Sequence, residues 1–118
     1  MTDLIASLTT GKGTWTEVLK IIDSQEWENI FLIANEFAIK NFRCKKKVNY
    51  IVINESKPSY AIAEDITKQL EGKINGFEVA LNLTSGTGKE HMAIMAALLK
   101  LGLAVRFVTI NDNQLRIL

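Results

Sequence analysis

LIASLTTGKGT, residues 4–14, is the stretch whose reading decides the fold. A short apolar run, Leu4 to Leu8, stops at Thr9-Thr10 and gives way to Gly11-Lys12-Gly13. Beyond Thr14, Val18, Leu19, Ile21 and Ile22 recur on one face of a helix reaching Ser24. Strand, glycine loop and helix therefore follow one another within about two dozen residues, the unit from which parallel α/β sheets are built.

Working outward, the unit repeats. IFLIA at 30–34 reads as a second buried strand, with Asn35 placed to cap a short helix running to about Arg43. VNYIVIN at 48–54 is a third strand, and past Pro58 the residues Tyr60, Ile62, Ala63, Ile66 and Leu70 fall at helical spacing before Gly72 and Gly76. FEVALNL at 77–83 is the fourth strand, residues 87–101 a helix ended by Gly102, and AVRFVTI at 104–110 the fifth strand. Asn111-Asp112-Asn113 predicts a turn that returns residues 114–118 as an antiparallel last strand. Strands that are apolar without alternation, each followed by an amphipathic segment, predict a mainly parallel sheet with helices on both faces. That is a Rossmann-like α/β fold, with expected strand order 3-2-1-4-5 and the antiparallel strand at the edge.

Composition bounds the rest. With 118 residues, the chain reads as one domain over 1–118, with room for a core but not for a second one. Fourteen basic against 13 acidic residues leave a charge of +1, which argues against a polycation coating duplex nucleic acid; an anion would be bound locally. A single cysteine, Cys44, and a single histidine, His91, exclude a disulfide framework and a Cys/His zinc site, and no metal or cofactor is expected. Asp3 and the lack of a basic flank argue against a signal peptide, and the longest apolar run, residues 92–99, falls short of the ~20 needed to span a bilayer. A cytoplasmic protein without membrane contact is the expectation.

In the expected order, strands 1 and 4 are neighbours at the point where the chain departs in opposite directions, and a crevice opens beyond their carboxyl ends. The loops bordering it, TTGKGT at 9–14 and TSGTGK at 84–89, are the chain's richest in glycine and hydroxyls, and each carries a lysine into a helix. Helix N-termini offer unpaired N–H groups, glycines admit a ligand to the backbone, and lysine adds a point charge; together they predict an anion cradle. The ligand-binding candidates are Thr9, Thr10, Gly11, Lys12, Gly13, Asn35, Thr84, Ser85, Gly86, Thr87, Gly88 and Lys89. The competing explanation is helix capping, because Thr14-x-x-Glu17 and Thr87-x-x-Glu90 both match the capping box. Neither loop is a GxxxxGK[ST] P-loop, and GxGxxG is absent.

Residues 77–93, FEVALNLTSGTGKEHMA, resemble the second signature of CARF domains, the Rossmann-like sensor domains of CRISPR-associated proteins. A buried strand ending in Asn82-Leu-Thr leads into a Gly-Thr-Lys loop and a small apolar helix carrying Met92. The likeness extends to the first strand with its hydroxyl-rich loop, to the expected strand order and to the terminal hairpin, and it is to the standalone sensor or ring-nuclease type. The resemblance implies binding of a cyclic oligoadenylate, usually cyclic tetra-adenylate, in a two-fold pocket across a homodimer that serves antiviral defence. Ser7, Thr9, Thr10, Lys12, Ser85, Gly86, Thr87 and Lys89 are the matching positions. It further implies, for ring nucleases, metal-independent attack of a ribose 2′-OH on the adjacent phosphate, with Ser7, Thr10 and Lys89 as the catalytic candidates.

Independently of family, residues 92–99, MAIMAALL, are apolar on every side, whereas a helix covering one sheet face keeps a polar stripe. A second packing surface is expected between Met92 and Leu99, most simply a two-fold mate; the alternative is burial between elements of the same chain. Trp15 either stacks on a base or staples its helix to the sheet, while Trp27, Phe31, Phe37 and Phe42 read as core and helix-packing residues. RCKKK at 43–47 reads as a solvated loop at the amino ends of the strands, and Cys44 among those lysines is expected to have a lowered thiol pKa. Two alternatives to the cyclic-oligoadenylate sensor are a small nucleotide- or phosphometabolite-binding protein and a non-enzymatic interaction subunit.

Overall fold

The computed structural model describes residues 2–9 and 12–118, with Lys12 described by its backbone alone. Ten elements follow in order: β1 Asp3–Leu8, α1 Lys12–Asp23, β2 Ile30–Ala34, α2 Glu36–Asn41, β3 Asn49–Val52, α3 Ser59–Leu70, β4 Glu78–Asn82, α4 Gly88–Lys100, β5 Ala104–Asn111 and β6 Gln114–Ile117. They form one six-stranded sheet in the order β3-β2-β1-β4-β5-β6. The first five strands are parallel and β6 alone is antiparallel, so the Rossmann-like order expected from the sequence is the order found.

The two faces of the sheet explain why the central strands do not alternate. Every residue of β1 and β2 is buried. Leu4, Ala6, Leu8, Leu32 and Ala34 point toward α1 and α2, where Val18, Ile21, Ile22 and Ala38 meet them. Ile5, Phe31, Ile33, Val79 and Leu81 point the other way, toward Ile62, Ile66 and Leu70 of α3 and Ala93, Ile94, Ala97 and Leu98 of α4. Each such leucine or isoleucine, fully buried, contributes about 1.5–3 kcal/mol, which is why strands covered on both faces read as continuous apolar runs.

Turn chemistry sets the ends of the elements. Gly72, Gly76 and Gly102 have φ of +76°, +81° and +73°, so the chain leaves α3 and α4 through left-handed residues. Asp112 and Asn113 have φ of +52° and +60°, the two-residue turn that matches the twist of a hairpin and pairs Asn111 with Gln114. At the other edge the Gln69 side chain occupies β3: its Oε1 accepts from Val52 N at 2.9 Å and its Nε2 donates to Val52 O at 2.8 Å. An edge strand's exposed backbone is thereby covered by a side-chain amide.

Three expectations change, and for Trp15 the packing alternative is the one found. Thr14 is not the cap of α1, because the helix already begins at Lys12. Phe37 is not a core residue; 53% of its surface is exposed. Trp15 is buried, its ring 6.0 Å from Phe37 and 5.8 Å from Phe42, so it joins α1 to α2 and has no free face to offer a base. Cys44 has its thiol pushed above its ordinary value, by burial first and then by the Asp23 carboxylate, opposite to the lowering expected from its lysine neighbours. The loop around it is otherwise as expected, except that Lys46 is fixed: its Nζ donates to Ile22 O and Gln25 O, each at 2.9 Å, at the C-terminus of α1.

Candidate functional site

β1 and β4 lie side by side, with Ala6 paired to Asn82, so the segments leaving their carboxyl ends meet at the switch point. Among the described residues they are fastened by buried polar contacts. The Ser7 hydroxyl donates to Ser85 O, and Ser85 Oγ accepts from Thr9 N at 3.2 Å. Thr9 Oγ1 donates to Glu90 Oε1 at 2.6 Å, and Asn35 Nδ2 donates to Thr9 O at 3.1 Å. Asn35 Oδ1 accepts from Ala38 N at 2.9 Å, so the same side chain caps α2 as expected and ties it to the loop after β1.

The start of α4 is a complete capping box. Thr87 Oγ1 accepts from Glu90 N, and Glu90 Oε1 accepts from Thr87 N at 2.9 Å. Glu90 is buried, and His91 Nε2 lies 2.7 Å from Ser85 O. Gly86, at φ +104°, passes through the middle of these groups. A Cβ there would lie 3.0 Å from both Glu90 Oε1 and Thr9 Oγ1 and 3.1 Å from His91 Nε2, so Gly86 is required by the packing itself.

Gly13 and Gly88 differ from it. Both lie in the first turn of their helices, α1 and α4, with no positive φ, and a Cβ at either would meet nothing within 4 Å among the described residues. Neither the backbone nor the packing calls for glycine there, and glycine lowers helix stability relative to alanine. Among the described residues, then, no side chain at Gly88 covers the first turn of α4.

Of the remaining candidates, Thr10 and Gly11 lie outside the described residues, as does the Lys12 side chain. Ser7 has no exposed surface, so its hydroxyl acts on Ser85 rather than on the crevice. Thr84 is exposed, and its Oγ1 donates to Glu17 Oε2. Lys89 is exposed too, with Nζ donating to Glu55 O at 2.9 Å in the loop between β3 and α3. It thus reaches across the carboxyl end of the sheet instead of lying against its own helix.

Glu17 is the residue that sequence reading misassigned. Its Oε2 accepts from Asn82 Nδ2 at 3.0 Å, from Thr109 Oγ1 at 3.1 Å and from Thr84 Oγ1. Asn82 Nδ2 also reaches Val108 O at 2.9 Å, so α1, β4 and β5 are joined through one carboxylate and one amide. The donors lie 65, 67 and 92 residues away, and no local pattern marks the partnership.

Beside the switch point, beyond the carboxyl ends of β2 and β3, a cleft of about 400 Å³ is lined by residues 35–37, 52–55 and 57 together with Asp65. No group of three or more His, Cys, Asp or Glu residues able to hold a metal ion occurs among the described residues. No described helix is long and apolar enough to cross a membrane. No protein-family model matches the chain, and no curated protein matches it.

Proposed function

We propose that the chain binds a phosphate-bearing nucleotide at the switch-point loops, residues 9–14 and 84–89, and that this ligand is a cyclic oligoadenylate held between two copies of the chain in a CRISPR-associated sensor. The observation that carries the binding reading is the pair Gly13 and Gly88: among the described residues neither backbone nor packing calls for glycine at either, and each stands in the first turn of a helix that follows one of the two central strands, β1 and β4. A helix N-terminus favours negative charge, and a missing Cβ lets phosphate oxygens approach the N–H groups. Lys89, exposed at the rim, supplies the full positive charge.

The resemblance of residues 77–93 to the CARF signature supports the choice of ligand. The exposed apolar surface of α4 supports the dimer: Met92 and Leu99 are 61% and 67% exposed, with Tyr60 of α3 at 69%. With such a mate the two crevices would adjoin and give the symmetric pocket that a ring-shaped ligand needs. Ring opening, where it occurs, consists of attack of a ribose 2′-OH on the neighbouring phosphorus with departure of the 5′-oxygen, leaving a 2′,3′-cyclic phosphate. Lys89 and the bared N–H groups would stabilise charge on the phosphorane, and Thr10 would orient the nucleophile. Ser7 is assigned here to holding Ser85 in place.

Calorimetric titration of the native chain with cyclic tetra-adenylate tests the reading. One ring per two chains, with the interaction abolished by Gly88→Val, is the expected result. A linear mononucleotide bound once per chain, with no ring bound, favours the phosphometabolite protein instead. No nucleotide bound at all, with the chain monomeric, favours the interaction subunit.

A further inference from the structure

Residues 43–47, Arg-Cys-Lys-Lys-Lys, place four of the chain's 14 basic side chains in five positions, while the other 113 residues carry ten basic against 13 acidic ones. Outside this run the chain is negative by three charges, so its positive field is gathered at one place. The run follows α2 and leads into β3, at the amino ends of the parallel strands and opposite the switch-point loops.

It is pinned from beneath. Cys44 and Val48 pack against the core that α1 and α2 cover, and Lys46 is held by Ile22 O and Gln25 O. The residues between them, Arg43, Lys45 and Lys47, are exposed, and none of the three joins an ion pair among the described residues. Glu26 and Glu28 line the neighbouring cleft together with Lys47, which keeps an anion out of that cleft and on the outer side of the run. Three unpaired cations on a fixed loop suit a polyanion. A protein partner fits poorly, because specific protein interfaces centre on buried apolar anchors and no large exposed apolar side chain falls between residues 38 and 51. Phosphates need only the charge. So narrow a patch suits a flexible single strand, whose backbone can follow it, rather than a duplex.

We infer that Arg43, Lys45 and Lys47 form a contact surface for the phosphate backbone of a single-stranded nucleic acid, bound without regard to base. The surface is independent of the ligand proposed for the switch-point loops. Its test is the anisotropy of a fluorescein-labelled oligouridylate titrated with the native chain from about 20 mM salt upward. Three neutralised phosphates give an expected slope of log affinity against log salt of about −2. Arg43→Gln/Lys45→Gln/Lys47→Gln is expected to weaken binding at least about ten-fold at the lowest salt and to flatten the slope. Lys68→Gln/Lys73→Gln/Lys100→Gln removes the same charge from exposed positions elsewhere and is expected to stay within about three-fold of the native chain. Amide resonances of residues 43–47 in the native chain are expected to shift, which locates the contact without any substitution. No binding at the lowest salt, shifts confined to other segments, or equal losses in the two triple variants overturns the inference. A loss in Lys89→Ala as large as in the first triple variant also overturns it, by putting the strand at the switch-point loops. Tighter binding of poly-glutamate than of oligouridylate does the same in favour of an acidic protein partner.

Discussion

Thr9 and Glu90, 81 residues apart in the chain, are joined by a buried 2.6 Å hydrogen bond that locks the loop after β1 onto the first turn of α4. The Glu90 oxygen concerned also accepts from Thr87 N at 2.9 Å. Removing the threonine hydroxyl leaves a buried carboxylate short of a donor, which costs more than the bond's net contribution. Thr9→Val is expected to lower unfolding free energy by about 1–3 kcal/mol. Urea denaturation with an unchanged slope and a reduced midpoint is the supporting result; an unshifted midpoint would show that the lock carries no stability.

The glycines separate by role. Gly86→Ala forces a Cβ to 3.0 Å from two oxygens at φ +104° and is expected to destabilise by more than about 1 kcal/mol. Gly13→Ala and Gly88→Ala, with no neighbour within 4 Å among the described residues, are expected to leave the unfolding free energy unchanged or raise it by up to about 1 kcal/mol through helix propensity, with the melting temperature following. Ligand binding should nevertheless weaken in both. A fall in melting temperature for Gly88→Ala would return that glycine to a structural role.

Lys46 closes the C-terminus of α1 through Ile22 O and Gln25 O. Lys46→Met retains the aliphatic stem and discards the charged donor, and the expected loss is about 0.5–2 kcal/mol from hydrogen bonding and the helix dipole. Because the charge is partly exposed, the loss should shrink at high salt. A salt-independent effect in thermal melts would place the contribution in packing of the stem instead.

The raised pKa of Cys44 has a pH consequence. Its neutral thiol is favoured in the fold, so the stability it contributes is present below the ordinary thiol value of about 8.5 and is lost as pH rises through the raised folded value. Alkylation of the native chain by iodoacetamide should therefore have a pH midpoint above that of the urea-unfolded chain. A native midpoint below the unfolded one would contradict the burial and Asp23 account.

The fold was legible in the sequence because local patterns carried it. Continuous runs such as IFLIA marked doubly covered strands, Gly72 and Gly102 marked helix exits, and Asp112-Asn113 marked the hairpin. The site was legible as a pair of loops but not as a network. Glu17 stands three residues after a threonine and matches a capping box, yet its partners Asn82, Thr84 and Thr109 arrive only when β4 and β5 are placed beside α1. Phe37 falls at a spacing suited to packing, and its exposure follows from its position at the start of α2, above the end of the sheet. Charge neighbours in sequence misled for Cys44, whose pKa is set by burial and by Asp23 across the fold.

The central claim is capture of a cyclic oligoadenylate at the switch-point loops, and it is tested most directly by thermal shift of the native chain and Lys89→Ala with cyclic tri-, tetra- and hexa-adenylate against AMP, ATP and NAD. A ligand at one hundred times its Kd stabilises the fold by about 2.7 kcal/mol, a shift of several degrees for a domain of this size. The account predicts such a shift with one ring size, reduced or lost in Lys89→Ala. No shift with any ring in the native chain would contradict it.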